Sequence, residues 1–223
     1  MTIHPSSLAG IVSIGMYAFS TDSVVIIPKW VTHQKAQMFG EWLKATLIHT
    51  TIGRSVLVGA FVGGNSYGLL LPYFTQEKEI KLIKSFFHGN ITIMDTKETA
   101  YGNMVLANDK GAIVDPRLEK QKIKHVSDTL DVETVPSKIA GLPYVGSLAV
   151  ATNKGVLTHP LADEQERSIL NNVLKVPVDL GTINCGIPYV GTGMIGNKNA
   201  AIVGLLTTGP EMFIIGHALD VVN

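Results

Sequence analysis

The sequence contains a single cysteine, Cys185, among its 223 residues. One thiol cannot form a disulfide within the chain, so the sequence does not fit the disulfide-rich secreted domains and is typical of a reducing compartment. The first ten residues, MTIHPSSLAG, lack the basic and apolar regions of a secretory signal. No apolar run reaches the roughly 18–20 residues that a membrane-spanning helix needs. We therefore expect a cytoplasmic protein.

The sequence also lacks an excess of charge of either sign. Its 18 basic residues balance its 18 acidic residues, and charged residues make up only 16% of the chain. Such a surface offers no general attraction to nucleic acid or to an anionic membrane. We expect no contact with DNA or membrane, and any contact with RNA must be local.

What the sequence does contain is an internal repeat. The stretches GLPYVG and GIPYVG end at glycines 45 residues apart, and five such glycines follow one another at gaps of 44, 43, 44 and 45 residues: Gly15, Gly59, Gly102, Gly146 and Gly191. Four prolines are each 44 residues apart: Pro28, Pro72, Pro116 and Pro160. We interpret these glycines and prolines as the points where the backbone turns from one repeat into the next. Five repeats fill residues 1–223 without a linker, which predicts a single domain.

Each repeat is predicted to contain two strands, a helix and a third strand. In the third repeat, MVLA and AIVD flank the turn NDKG, which indicates a β-hairpin. Helices follow, and two of them begin with the spacing of a capping box, Asp163 with Glu166 and Thr208 with Glu211. The third strands are NITIM, DVETV and KVPVDL in the second, third and fourth repeats.

The fifth repeat lacks a third strand of its own, because only DVVN follows its helix. Residues 2–15 align with residues 178–191, so that Gly10 matches Gly186. We therefore predict that the N-terminal strand completes the last repeat and closes the chain into a ring. Closure leaves fewer open strand edges that could pair with other chains. The predicted fold class is α/β, a five-bladed pseudo-symmetric ring of ββαβ repeats.

Five segments carry a resemblance to a known family. They are GLLLP (Gly68–Pro72), ETAYGNMVLANDKGAIVDP (Glu98–Pro116), VGSLAVATNKGVLTHP (Val145–Pro160), GTINCG (Gly181–Gly186) and TTGPE (Thr207–Glu211). Through them the chain resembles the translation initiation factor 6 family, which belongs to the penteins. The resemblance implies a pentein ring, a ribosomal partner and no catalysis. Eukaryotic members carry a further C-terminal tail, and its absence here favours an archaeal type.

The resemblance also implies what the protein binds. It implies a factor that binds the large ribosomal subunit, prevents association with the small subunit and takes part in large-subunit biogenesis. The partner would be a ribosomal protein near the sarcin–ricin loop, with local contact to ribosomal RNA, and the factor would act as a monomer. The ribosome-facing side of the family lies where the repeats begin, which points to five residues: Asn103, Ala60, Leu148, Tyr189 and Tyr144.

Alternatives remain open for these residues. Asn103 is the strongest candidate, because an amide that follows the repeat glycine can donate and accept hydrogen bonds across an interface. The same side chain could instead cap its own turn. Tyr144 and Tyr189 could pack between repeats or could expose their hydroxyls on one face.

Cys185 offers the main alternative function, because some penteins modify guanidino groups with a cysteine nucleophile. Such a cysteine needs a base or a positive neighbour that lowers its pKa. The seven histidines form no H-x-E or H-E-x-x-H group, and His159 lies where Asp115 lies one repeat earlier, which indicates a structural role. We therefore expect no catalytic residues and no metal site.

The stretch GTGMIG (Gly191–Gly196) matches the dinucleotide-binding pattern G-x-G-x-x-G. A true fingerprint follows a strand and opens a helix. Here the third glycine is predicted to lead into NKNAA, a turn between hairpin strands. We therefore interpret the match as fortuitous and expect no cofactor.

Overall fold

The structure, a computed structural model, describes residues 2–221 as fifteen strands and ten helices in five repeats. Each repeat contains one three-stranded sheet whose central strand pairs antiparallel with the first strand and parallel with the third. The sheets are β2 (Phe19–Ser20), β3 (Val24–Ile27) and β4 (Thr46–His49); β5 (Gly63–Gly64), β6 (Gly68–Pro72) and β7 (Asn90–Met94); β8 (Val105–Ala107), β9 (Ala112–Val114) and β10 (Thr134–Pro136); β11 (Ala149–Ala151), β12 (Val156–Thr158) and β13 (Val178–Leu180); and β14 (Met194–Gly196), β15 (Ala201–Gly204) and β1 (Ile3–Ser6). The predicted five-bladed α/β arrangement is confirmed.

The N-terminal strand completes the fifth sheet, as predicted. Strand β1 runs parallel to β15, with Ile3 opposite Ala201. From the same strand, His4 stacks on Trp42 of the first repeat with ring centres 4.5 Å apart. The strand therefore contacts both the last repeat and the first. Val222 and Asn223, which belong to the predicted DVVN end, lie outside the described residues.

Each repeat contains a long helix between its second and third strands. The long helices are α2 (His33–Leu43), α4 (Glu77–Lys84), α6 (Lys120–Leu130), α8 (Glu164–Leu174) and α10 (Gly209–Ala218). The capping boxes predicted at Asp163 with Glu166 and at Thr208 with Glu211 are both present. A third, Gln76 with Glu79, was not predicted because glutamine is an uncommon cap.

Each repeat also contains a one-turn helix before its first strand, which the sequence analysis did not predict. These helices are α1 (Ile14–Tyr17), α3 (Val58–Phe61), α5 (Tyr101–Met104), α7 (Val145–Leu148) and α9 (Val190–Gly193). Each contacts the one before it and the one after it, and α9 contacts α1, so the five surround a central axis. They line a narrow central channel of about 100 Å³ together with the first strands.

The repeat glycines are needed for close packing at this axis rather than for turning. A Cβ atom on Gly102 would collide with the carbonyl oxygen of Gly59 in the preceding repeat. Each of the other four repeat glycines lies equally close to the corresponding glycine of the repeat before it, and Gly15 against Gly191 closes the ring. None of the five has a positive φ. The turn lies at the first glycine of GIPYVG, where Gly186 has φ 94°. Our interpretation of the repeat glycines as turn residues was therefore wrong.

The 44-residue proline spacing does not mark equivalent positions. The carbonyls of Pro28 and Pro72 accept the hydrogen bond that closes the turn after the second strand. In the third and fourth repeats the carbonyls of Asp115 and His159 accept this bond, so Pro116 and Pro160 lie one residue later. The reason is that the second repeat is one residue shorter than the first. The predicted equivalence of His159 with Asp115 is confirmed.

The repeats are joined at the hairpin turns by buried asparagines. The Nδ2 of Asn65 donates to the carbonyl of Asn108 in the next repeat at 3.1 Å and to that of Leu130 at the end of α6 at 2.9 Å. Asn108 and Asn197 make the same pair of bonds to the repeats that follow them. Each amide therefore satisfies a helix C-terminus and fixes two neighbouring turns.

The topology gives the ring two different faces. The second strand of each repeat ends where the long helix begins and where the connection to the next repeat lies. We call this side the loop face; it comprises residues 7–17, 50–61, 95–104, 137–148 and 181–193 and the turns 28–32, 72–76, 115–119, 159–163 and 204–208. The opposite side, which we call the turn face, carries the hairpin turns and the C-terminal ends of the long helices.

The packing at the axis can be tested with Gly102→Ala. The added methyl group meets backbone atoms of Gly59, which cannot move without displacing the preceding repeat. We expect the free energy of unfolding to fall by about 1–3 kcal/mol, as for overpacked cores. The control is Gly209→Ala, where nothing lies within 4 Å of the new Cβ and the helix should tolerate alanine. Urea unfolding measures both, and equal stability of Gly102→Ala and wild type would contradict the packing role.

Candidate functional site

Large exposed apolar side chains are concentrated on the loop face. Of the 16 such residues in the described part of the chain, nine lie there: Ile11, Trp30, Tyr73, Tyr144, Leu161, Ile187, Tyr189, Leu205 and Leu206. Leu161 is the most exposed of the nine, at 76%. Single exposed apolar residues are ordinary, but their concentration on one face is typical of an interaction surface.

The loop face is not uniform around the ring. Most of these residues belong to the fourth and fifth repeats, and we call six of them the apolar sector: Tyr144, Leu161, Ile187, Tyr189, Leu205 and Leu206. The connection into the third repeat instead exposes Asp95, Lys97 and Glu98. The five repeats therefore present a polar part and an apolar part on the same face.

Tyr144 and Tyr189 occupy the same position in successive repeats, directly before the short helices α7 and α9. The ring of Tyr144 lies under the guanidinium of Arg117, and the ring of Tyr189 meets that of His159 edge-on at 6.2 Å. Both tyrosines are still more than 40% exposed. Each tyrosine therefore packs against the preceding repeat on one side and faces solvent on the other. The two alternatives expected from the sequence, packing between repeats and exposure on one face, are thus compatible.

Asp115 and His159 support these tyrosines from the ends of strands β9 and β12. Asp115 is fully buried and binds Arg117, and hydrogen bonding to Asp115 raises the pKa of that guanidinium. The Nδ1 of His159 accepts the backbone N–H of Leu161 at 3.1 Å, and burial lowers the pKa of the imidazole. His159 therefore has the structural role that the sequence predicted.

The other three residues that the resemblance implies as contact residues, Asn103, Leu148 and Ala60, differ in their exposure. Asn103 is half-buried in α5 at the channel mouth, and its backbone N–H, not its side chain, closes the turn to Ala100 at 3.0 Å. Leu148 is fully buried and Ala60 is only 7% exposed. Both lie in one-turn helices that direct them inward, so their side chains cannot supply contact area. Ala60 and Leu148 are therefore unsuitable as contact residues.

The comparison with known proteins identifies the family. The eIF-6 family model matches residues 3–218. The chain belongs to the eIF-6 family. It is 40% identical over 214 residues to translation initiation factor 6 of Pyrococcus abyssi, which covers 94% of each chain. It is 41% identical over 220 residues to translation initiation factor 6 of Methanocaldococcus jannaschii, which covers 96% of each chain.

These relatives confirm the resemblance seen in the sequence, including its archaeal type. Among solved structures, a mutant of DDAH from Pseudomonas aeruginosa in complex with citrulline matches with a TM-score of 0.45 and 11% identity. That match covers 75% of this chain and 68% of the other.

In this eIF-6 family chain, three glutamates hold the connections between repeats on the loop face. They are the third helical residues of the capping boxes, Glu79, Glu166 and Glu211, and each also accepts backbone N–H groups from a connection 25 or 26 residues earlier. Two of the capping boxes are evident from the sequence, whereas this second contact of the glutamates is not. A glutamate recurring at one helical position opposite a glycine-containing turn was the available signal.

Glu211 shows the strongest electrostatic effect of this arrangement. Its carboxylate accepts the N–H groups of Cys185 at 3.1 Å, Gly186 at 2.8 Å and Thr208 at 2.7 Å, and the hydroxyl of Thr182 at 2.8 Å. Burial opposes ionisation, but the hydrogen bonds outweigh it and lower the pKa of Glu211 to about 2. The ionised glutamate therefore fixes the connection that leads to Tyr189.

Cys185 lies in this connection without catalytic surroundings. It is exposed, with φ 64°, and its N–H binds the carboxylate of Glu211. A nucleophilic cysteine needs a base or a cation beside its thiol, and the hydrogen bonds of the described residues give this thiol neither. Within residues 2–221 there is also no group of three or more histidine, cysteine or acidic residues that could hold a metal ion.

The glycine pattern GTGMIG is no dinucleotide site. Its residues form the short helix α9 and the strand β14, and the third glycine, Gly196, leads into a hairpin turn. The predicted placement is confirmed. Among the helices of residues 2–221, none is both long enough and apolar enough to cross a membrane.

The role of Glu211 predicts a specific acid dependence. Because its pKa in the folded state is about 2, below the usual 4.5, its stabilisation is present above about pH 4.5 and is lost as the pH falls toward 2. We expect Glu211→Gln to lower the free energy of unfolding by about 2 kcal/mol at neutral pH, since hydrogen bonds to a charged group are lost. This difference from wild type should shrink between about pH 5 and about pH 3.

Urea unfolding across this pH range measures the effect. Glu164→Gln is the control, since it removes the same charge from an exposed position in the first turn of α8. A Glu211→Gln deficit that stays constant down to pH 3 would contradict the role of the ionised carboxylate.

Proposed function

We propose that this eIF-6 family chain binds the large ribosomal subunit through its loop face and prevents association with the small subunit. Family membership supports a translation factor. The observation that carries the finer proposal is the concentration of exposed apolar side chains on the loop face, whereas the turn face is occupied by turns that bind each other. A surface of this kind is suited to a large partner.

The contact residues that we infer are Asn103, Tyr144 and Tyr189. Both tyrosines are held from behind by the preceding repeat, so their binding would order few new torsions. Tyrosine is also enriched among the residues that dominate interface energies. Asn103, at the channel mouth, can supply a directional hydrogen bond between the apolar and polar parts of the face.

The mechanism is steric and needs no chemical step. A ring bound to the inter-subunit surface of the large subunit occupies space that the small subunit needs, and an interface of about 1,600 Å² in total suffices. With no net charge, the chain suits a contact made chiefly with a ribosomal protein, near the sarcin–ricin loop, and with only local ribosomal RNA contact. Binding as a monomer before the subunits meet would also give it a part in large-subunit biogenesis.

Sedimentation with purified archaeal subunits tests the proposal. We expect the chain to co-migrate with large subunits but not with small subunits, and to reduce the fraction of joined particles when it is added first. Tyr189→Ala should weaken co-migration by about tenfold, as for an interface anchor. The exposed Phe213→Ala on α10, away from the loop face, is the control and should bind like wild type.

Two results would contradict this function. Co-migration with the small subunit alone would exclude the proposed partner. A steep loss of affinity with salt, of the size seen when six to ten phosphates are neutralised, would make RNA the principal ligand.

The proposal also excludes turnover by Cys185. Incubation with arginine or agmatine should give no product above background, because no base is hydrogen-bonded to the thiol in the described part of the chain. Amino-acid analysis of the reaction mixture measures this, with Cys185→Ser as the control. Product that forms with wild type and disappears with Cys185→Ser would establish an enzyme.

A further inference from the structure

A buried ion pair and an aromatic ring fix Arg117 on the loop face. Its Nε lies 3.0 Å from Oδ1 of Asp115 and its Nη2 lies 2.6 Å from Oδ2, and the Asp115 side chain is fully buried. The guanidinium carbon lies 4.7 Å from the ring centre of Tyr144. The Arg117 side chain is nevertheless 56% exposed. One edge and one face of the guanidinium are therefore held by the protein, and more than half of the side chain is open to solvent.

The other four repeats lack this arrangement. The position of Asp115 is taken by Pro28, Pro72, His159 and Gly204; that of Arg117 by Trp30, Phe74, Leu161 and Leu206; and that of Tyr144 by Ser13, Leu57, Ala100 and Tyr189. The fold therefore does not need the three residues together, since the other four repeats lack the aspartate and the arginine and three of them lack the tyrosine. A fully buried carboxylate also carries a desolvation cost that an apolar residue would avoid. The Oδ1 of Asp115 also accepts the backbone N–H of Arg117 at 2.9 Å, as His159 accepts that of Leu161, so the aspartate closes its own turn. The architecture does not explain why this aspartate also pairs with an exposed arginine that stacks on Tyr144.

We propose that Arg117, positioned by Asp115 and Tyr144, is a contact residue that binds an oxygen acceptor, a carboxylate or a backbone carbonyl, of a protein partner. This inference rests on the proposed function and adds a residue and a chemistry to the same face. The free edge of the guanidinium presents N–H donors in a fixed plane, which suits such an acceptor. Because the side chain is already ordered, little conformational entropy is lost on binding.

The surrounding charges favour a protein over an RNA backbone. The charge of Arg117 is already balanced by its buried partner. Glu166 binds the backbone of the connection that precedes Tyr144, and Asp163 and Glu164 lie beside it at the start of α8. Glu119 adds a further carboxylate, and the exposed lysines of the junction are Lys138 in the connection and Lys120 at the start of α6. Charges of both signs therefore surround Arg117, whereas a polyanion is held by several cations that no carboxylates offset.

The apolar sector begins at this junction. Tyr144 belongs to it, and Leu161, which occupies the position of Arg117 in the next repeat, is its most exposed member. Arg117 therefore lies at the rim of an apolar surface, where a directional polar contact sets the register of a protein partner.

Two variants test the group formed by Asp115, Arg117 and Tyr144, and they differ in how much they change the buried part of the structure. Tyr144→Ala removes a half-exposed ring. The double change Asp115→His with Arg117→Leu gives the third repeat the His-Pro-Leu sequence of the fourth, so no buried carboxylate is left unpaired. The control is Lys154→Ala, which removes a cation that pairs with Asp220 at 3.5 Å on the turn face.

Binding to purified large subunits and thermal unfolding are measured for each variant. We expect Tyr144→Ala and the double variant to melt like wild type and to raise Kd about tenfold or more, whereas Lys154→Ala changes Kd by less than about twofold. Arg117→Lys, which keeps the charge but loses the planar edge, should bind as weakly as the double variant. Wild-type affinity of Arg117→Lys would overturn the role of the fixed edge.

The outcomes separate this inference from the proposed function. If wild type binds large subunits and the folded Tyr144→Ala and double variants bind equally well, the contacts at Arg117 and Tyr144 are refuted, whereas binding to the large subunit stands. If wild type itself does not bind, the proposed function fails. The slope of log Kd against log salt should be equal in wild type and the double variant, and a decrease of about one would identify a phosphate ligand and refute the protein acceptor.

Discussion

The close approach of backbone to backbone at the central axis is the constraint on which the rest of the structure depends. At five points a residue without a side chain lies against the carbonyl oxygen of the preceding repeat, and the last of these contacts joins Gly15 to Gly191. Such contacts leave no room for adjustment, since protein interiors are close-packed. They fix the distance between neighbouring sheets, and with it the narrow channel and the placement of every connection on the loop face.

The same frame allows the repeats to differ where they do not touch the axis. The position before each short helix is serine, leucine or alanine in three repeats and tyrosine in two, Tyr144 and Tyr189. The backbone at all five is nearly identical, so the difference costs the fold little. Binding properties can therefore vary around the ring while its architecture remains constant, which is the usual division between a scaffold and its loops.

The repeat period and the local turn and capping patterns of the sequence were sufficient to predict the five blades, the closing strand, the third-repeat hairpin and the capping box at Asp163. The one-turn helices escaped prediction because four residues without a cap carry no helical periodicity. That omission explains why Leu148 was expected at the surface and is buried. The stack of Arg117 on Tyr144 joins two repeats across 27 residues, and no local pattern records such a contact.

The pairing of β1 with β15 has a consequence for the order of synthesis. Ile3 and Ala201 are 198 residues apart (201 − 3), so β1 is synthesised well before β15, the strand with which it pairs. Contacts of such long sequence separation form late, although the entropic cost of closing the loop grows only with the logarithm of its length. A nascent chain that stops before β15 is an open arc with exposed strand edges, which invite pairing with other chains.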